Sequence, residues 1–129
     1  MALNKAQRAA LREKFGGRCA YCGLPLGERW HADHIEAIDR QWWKPGSPAA
    51  KPELDTLENM NPSCPPCNID KHSMSLESWR SVMQRSNEVL MRDVSTFRRA
   101  VRYGLVQLNN SPVTFYFERL AEPAPKEAP

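Results

Sequence analysis

Trp30-His31-Ala32-Asp33-His34-Ile35 stands between two cysteine pairs of identical spacing, Cys19-Ala20-Tyr21-Cys22 and Cys64-Pro65-Pro66-Cys67, and Asn68 follows the second pair directly. A C-x-x-C turn presents two sulfurs from one tight loop, and zinc takes four thiolate or imidazole ligands in a tetrahedron. The two pairs use every cysteine in the chain. They predict one structural zinc on Cys19, Cys22, Cys64 and Cys67. The 41 residues between Cys22 and Cys64 exceed the ~15–20 of a simple zinc ribbon, so the insert is structure that the metal closes around. A redox dithiol is the alternative, but it expects one such motif beside a βαβ pattern, which this sequence lacks. Four thiolates leave zinc no open position, so this ion staples and does not catalyse.

The totals fit that picture. A chain of 129 residues with 41% hydrophobic and 26% charged residues suits one modest core that needs a staple. A single domain is expected over 1–121, with a Pro-, Ala- and charge-rich disordered tail over 122–129. No apolar run approaches the ~20 residues of a membrane span. The N-terminus lacks the apolar stretch of a signal peptide. Reduced cysteines without such a signal make the cytoplasm the expected location. The net charge of +3 hides a pattern: residues 1–22 and 71–103 each carry +4, and residues 23–70 carry −4. Basic flanks around an acidic middle suit a phosphate-binding rim around a metal-binding floor, or equally the solvated faces of ordinary helices.

Local patterning places the motifs. Asn4 caps a short helix to Phe15, with Leu3, Ala6, Ala10 and Lys14 on one stripe and Gly16-Gly17 ending it. Arg8, Arg12 and Arg18 are expected to face water or phosphate. Residues 28–38 read as a strand, with His31 and Asp33 on the same side. Residues 39–58 read as a long irregular loop in which Arg40, Trp42, Trp43, Lys44 and Lys51 interleave basic and aromatic groups, a pattern suited to nucleic acid. Pro65-Pro66 stiffens a loop, and a helix opens at Asn68. Apolar stripes predict further helices between Ser75 and Gly104. Val113, Phe115 and Phe117 alternate with Thr114, Tyr116 and Glu118, which predicts a late strand with one buried face.

Between the pairs, Asp33 offers a hard oxygen, and His34 is a side chain that takes protons near neutrality. Asn68 and His72 are four apart and share one helix face. A carboxylate, an amide oxygen and an imidazole accept Mg²⁺, Mn²⁺, or a softer ion such as Ni²⁺ or Zn²⁺, with positions left for water and phosphate oxygens.

These pieces, with Asn59-Met60-Asn61-Pro62-Ser63-Cys64 and Cys67-Asn68-Ile69-Asp70-Lys71, resemble the HNH (ββα-metal) endonucleases, in their zinc-stapled phage and bacterial form. The resemblance covers about residues 15–80. It implies an α+β fold: a small ββα-metal core closed by the four-cysteine site, with an N-terminal helix, C-terminal helices and the late strand. It implies DNA as partner and phosphodiester hydrolysis leaving a 5′-phosphate and a 3′-hydroxyl. His34 takes the place of the general base, Asp33 that of a metal ligand, and Asn59 that of the middle Asn that orients His34. Asn68 stands where the last histidine of the motif usually falls, a departure that still supplies an oxygen ligand. His72, one turn on, is a ligand in some branches and not in others. His31 takes a supporting role. Arg40, Lys71 and Arg80 are the expected phosphate contacts, with Trp42 and Trp43 against bases. The alternatives are a non-catalytic zinc-stabilised nucleic-acid-binding module, or a subunit that docks a protein partner through residues 75–103. A phage packaging role is compatible with the motif, as are homing and restriction, and the sequence sets no oligomeric state.

Overall fold

The computed structural model describes residues 2–41 and 43–121. Trp42 and the tail expected over 122–129 lie outside the described residues. Contacts between Cα atoms fall into two compact units, one running from the N-terminal stretch through Leu76 and resuming at Phe115, the other Glu77–Thr114.

The first unit is built on a two-stranded antiparallel sheet. Strand β1 is His31–His34 and strand β2 is Met60–Ser63, with His31 opposite Ser63 and His34 opposite Met60. The strand expected over 28–38 is thus four residues long. Beyond it, the Ile35 N–H still reaches the Asn59 carbonyl at 2.8 Å. Pro62 sits in β2 without a donor to offer, but its carbonyl accepts the Ala20 N–H at 2.9 Å. That bond docks the first cysteine turn on the sheet. Helix α2, Pro65–Lys71, begins where β2 ends, with Cys64 as N-cap and both prolines in its first turn. Pro65-Pro66 therefore starts a helix and does not stiffen a loop: the first turn has no N–H partners for proline to lose. Sheet and α2 together make the ββα unit.

Helix α1, Lys5–Arg12, carries a capping box in which Asn4 and Gln7 exchange side-chain-to-backbone bonds. Its buried residue is Leu11, while Ala6 and Ala10 stay exposed, so the buried stripe is turned from the one expected. The arginines on this helix and just after it are structural. Arg8 bonds the Trp30 carbonyl and stacks on the Trp30 ring, Arg12 bonds the carbonyls of Leu26 and Gly27, and Arg18 bonds that of Gly23. Each guanidinium satisfies backbone carbonyls of residues 23–30, while Arg8 and Arg18 stay exposed to water as expected.

The late strand is also corrected. Residues 116–121 form helix α6, Tyr116–Ala121. Its first N–H groups bond the carbonyls of Tyr21 and Ala20 at 3.0 and 2.9 Å, and the Glu118 carboxylate accepts the Phe115 N–H. The alternation seen in the sequence arises from packing. Phe115 is buried edge-on to Tyr21, and Phe117 stacks on Phe115 and meets Phe15 at a tilt.

The second unit holds α4, Ser86–Asp93, and α5, Ser95–Arg102, preceded by α3, Leu76–Gln84. Within it Gln84 and Asn87 bond the backbone of residues 109–113. Gly104 ends the last turn at φ +73°, as its place in the sequence predicts. Among the described residues no helix is long and apolar enough to cross a membrane.

Gly23 closes the first cysteine turn at φ +78°, and a Cβ there would stand 2.9 Å from the Tyr116 ring. Gly23→Ala should destabilise the fold by about 1–3 kcal/mol through backbone strain and this clash. Urea unfolding of the two proteins measures it, and an unchanged midpoint would contradict the account.

Candidate metal and active site

The four sulfurs converge from two turns. Their Sγ atoms all lie within 4.8 Å of one another, and those of Cys22 and Cys64 are 3.8 Å apart. A tetrahedron with Zn–S bonds of about 2.3 Å has edges of about 3.8 Å, while a disulfide needs about 2.05 Å. The geometry fits zinc, and none of the four cysteines is in a disulfide. A hydrogen bond from Cys67 brings the Cys19 thiol down to about 4 against the effect of burial, and the same contact pushes Cys67 up. Thiolate held among close sulfurs is the donor chemistry zinc takes.

Tyr21, inside the first cysteine turn, carries the staple's position to the sheet. Its hydroxyl donates to Asp33 Oδ2 at 2.5 Å. Burial, then the neighbouring Asp33 charge, pushes the Tyr21 hydroxyl well above its ordinary range, so it remains a donor. The same oxygen meets Lys71 Nζ at 3.2 Å, and Lys71 Nζ also donates to the His34 carbonyl at 2.9 Å. Lys71 is fully buried and Asp33 is 7% exposed. A buried ammonium must be paired, and here one lysine fastens two adjacent residues of β1. The expected Lys71 phosphate contact is therefore corrected: its charge is engaged inside the fold. Asp33 Oδ1 makes no hydrogen bond to the described residues.

His34 is held at its ring as well. Nε2 lies 2.8 Å from Asp55 Oδ1, with the two side chains 15% and 20% exposed. Asn59 closes the loop beneath. Its amide nitrogen donates to the carbonyls of Glu36 and Leu54, each at 2.8 Å, and its oxygen accepts the Glu36 N–H at 3.0 Å.

Asp33, His34, Asn68 and His72 line one cavity of about 530 Å³, with His31, Arg40 and Trp43 at its walls. All three histidines of the chain thus face the same space. Helix α2 stops at Lys71, and His72 sits one residue beyond with φ +52° and ψ −129°. That backbone geometry is one glycine adopts easily and histidine only under strain. The His72 N–H still bonds the Asn68 carbonyl, and Nδ1 contacts the Ser73 hydroxyl at 3.0 Å. Among the described residues only the four cysteines bring three or more Cys, His, Asp or Glu ligand atoms within 4.8 Å. The cavity is an open donor set and not a closed cage.

Residues 19–74 match the family model described as HNH endonuclease. This stretch is an HNH domain. No curated protein and no solved structure gives a match to the chain. The match suggests a nuclease-type function in general and implies a nucleic-acid partner, and the four-cysteine cluster suggests a structural zinc.

One further expectation changes on the structure. Arg80 is committed to Glu77 at 3.1 Å and to the Val113 carbonyl at 2.6 Å, so its guanidinium is already occupied within the second unit. The residues missed by sequence reasoning are Asp55, Tyr21 and the inward role of Lys71. Only Tyr21 carried a signal, since a tyrosine between two zinc ligands is placed by the metal. Asp55 lies in an irregular loop where no periodicity marks direction.

Two outcomes follow. Cys64→Ser should lose zinc and unfold cooperatively, whereas the parent retains stoichiometric zinc; metal analysis with circular dichroism reads both. Lys71→Ala should cost about 3–5 kcal/mol by stranding Asp33 without its partner. A variant of parental stability that merely weakens DNA affinity would return Lys71 to the surface role.

Proposed function

We propose that this HNH domain is a metal-dependent endonuclease that hydrolyses DNA phosphodiester bonds in the cavity beside β1. The observation supporting this most directly is that Asp33, His34, Asn68 and His72, spread over forty residues of chain, open onto one space while His34 is anchored at both its carbonyl and its ring. His34, as a neutral imidazole, takes a proton from the water that attacks phosphorus. Asn59 keeps the loop around His34 closed through its three backbone bonds. Asp33 Oδ1, the Asn68 amide oxygen and the His72 imidazole would hold the divalent ion. That donor set suits Mg²⁺, Mn²⁺, Ni²⁺ or Zn²⁺ and leaves positions for phosphate and water. When bound, such an ion neutralises charge on the phosphate and on the leaving oxygen. The open geometry favours a weakly held, exchangeable ion.

Arg40 and Trp43, both exposed at the cavity wall, are the DNA contacts this reading retains, Arg40 on phosphate and Trp43 against a base. A module that only binds nucleic acid is less well supported. Arg8, Arg12, Arg18, Arg80 and Lys71, which would supply its basic surface, are bonded to carbonyls or carboxylates of the chain itself.

Supercoiled plasmid incubated with Mg²⁺, Mn²⁺ or Ni²⁺, against EDTA, tests the activity. Mapping the ends should give a 5′-phosphate and a 3′-hydroxyl. His34→Ala should keep its zinc and melting temperature yet lose on the order of 10²–10⁴ in rate. Parental cleavage by that variant would remove His34 from the reaction.

A further inference from the structure

We infer that Asp55 is the positioning residue for His34, fixing which ring nitrogen faces the reaction, and that Asn59 acts through this pair. The catalytic consequence rests on the nuclease reading above; the geometry does not.

A carboxylate only accepts hydrogen bonds. With Asp55 Oδ1 at 2.8 Å from His34 Nε2, the hydrogen sits on Nε2, and in the neutral imidazole the lone pair is on Nδ1. His34 lines the cavity, and Nδ1 is the ring nitrogen left to act as base. The water O–H bond breaks as the O–P bond forms, and its proton goes to Nδ1. The bond from phosphorus to the 3′-oxygen breaks, and that oxygen takes its proton from solvent. The imidazolium formed keeps its Nε2–H on Asp55, whose charge offsets the new positive charge; Asp55 itself takes no proton.

The placement of Asp55 is built. It ends a 3₁₀ turn over Pro52–Leu54, its own N–H bonded to the Pro52 carbonyl at 3.1 Å. The Asn59 amide nitrogen holds Leu54, the residue before Asp55, and Glu36, two residues past His34, with equal 2.8 Å bonds. One side chain thereby spans both arms of the His34–Asp55 contact. Removing it frees the two arms to part. The middle asparagine thus sets the width of a clamp whose jaws are a carboxylate and an imidazole.

The test compares Asp55→Ala, Asp55→Asn, Asn59→Ala and the double variant Asp55→Ala/Asn59→Ala with the parent, all zinc-loaded. Nitrogen-15 NMR of the neutral His34 imidazole should show the Nε2–H tautomer in the parent and a mixture in Asp55→Ala. In plasmid nicking, Asp55→Ala should lower kcat about a hundredfold or more with KM unchanged. Asp55→Asn, which keeps an acceptor without the charge, should recover part of that loss and also serves if the alanine variant misfolds. The double variant should be no worse than the poorer single one, since residues acting as a unit are not additive. An unchanged tautomer in both Asp55 variants overturns the inference, as does an additive double variant. A parent that never cleaves, but whose tautomer is released by Asp55→Ala, ends the nuclease reading and upholds the positioning role.

Discussion

Four sulfur atoms meeting within 4.8 Å are the constraint on which this small fold rests. The first unit has a sheet of two four-residue strands and a seven-residue helix at its centre. Neither is long enough to persist alone, because isolated helices shorter than about 12–15 residues and lone hairpins are marginal in water. Zinc binding supplies folding free energy directly. It fixes the start of α2 and the first cysteine turn against one another. The Ala20–Pro62 bond and the Tyr21 aromatic cluster then extend that order to the sheet and to α6.

From the staple, order passes inward through polar groups. Tyr21, Asp33 and Lys71 form a buried network in which every charge has a partner. Such a network is costly to desolvate and stabilises little relative to an apolar filling. Its value lies in direction: a carboxylate pinned at one oxygen points the other, and a lysine bridging a side chain and the next carbonyl fixes two consecutive residues. The site-facing end of β1 is therefore rigid at atoms that hydrophobic packing, which is non-directional, could not specify.

The four-cysteine site was legible in the sequence because metal ligands act locally and leave spacing behind, while the ββα order of the mixed α/β fold came from what the family resemblance implied. The capping box at Asn4 and the terminator at Gly104 were readable for the same reason. What the sequence hid was the destination of long side chains. Arg8, Arg12, Arg80 and Lys71 look alike as letters, yet each commits its charge to a partner 22, 14, 33 or 37 residues away. Val113 to Glu118 misled because aromatic alternation records which rings are packed, and a helix start docked on the cysteine turn packs Phe115 as a strand would. Asp55 was invisible because a loop has no period from which a direction can be read.

The backbone of His72 carries one more implication. Under the metal-ligand role proposed for His72, an imidazole kept at φ +52° where glycine would relax sets durability and chemistry against each other at one codon. Libraries selected for heat resistance alone would drift toward glycine at this place, while those selected by turnover would hold the imidazole. The balance between the two amino acids among variants would thus record which pressure the chain had been living under.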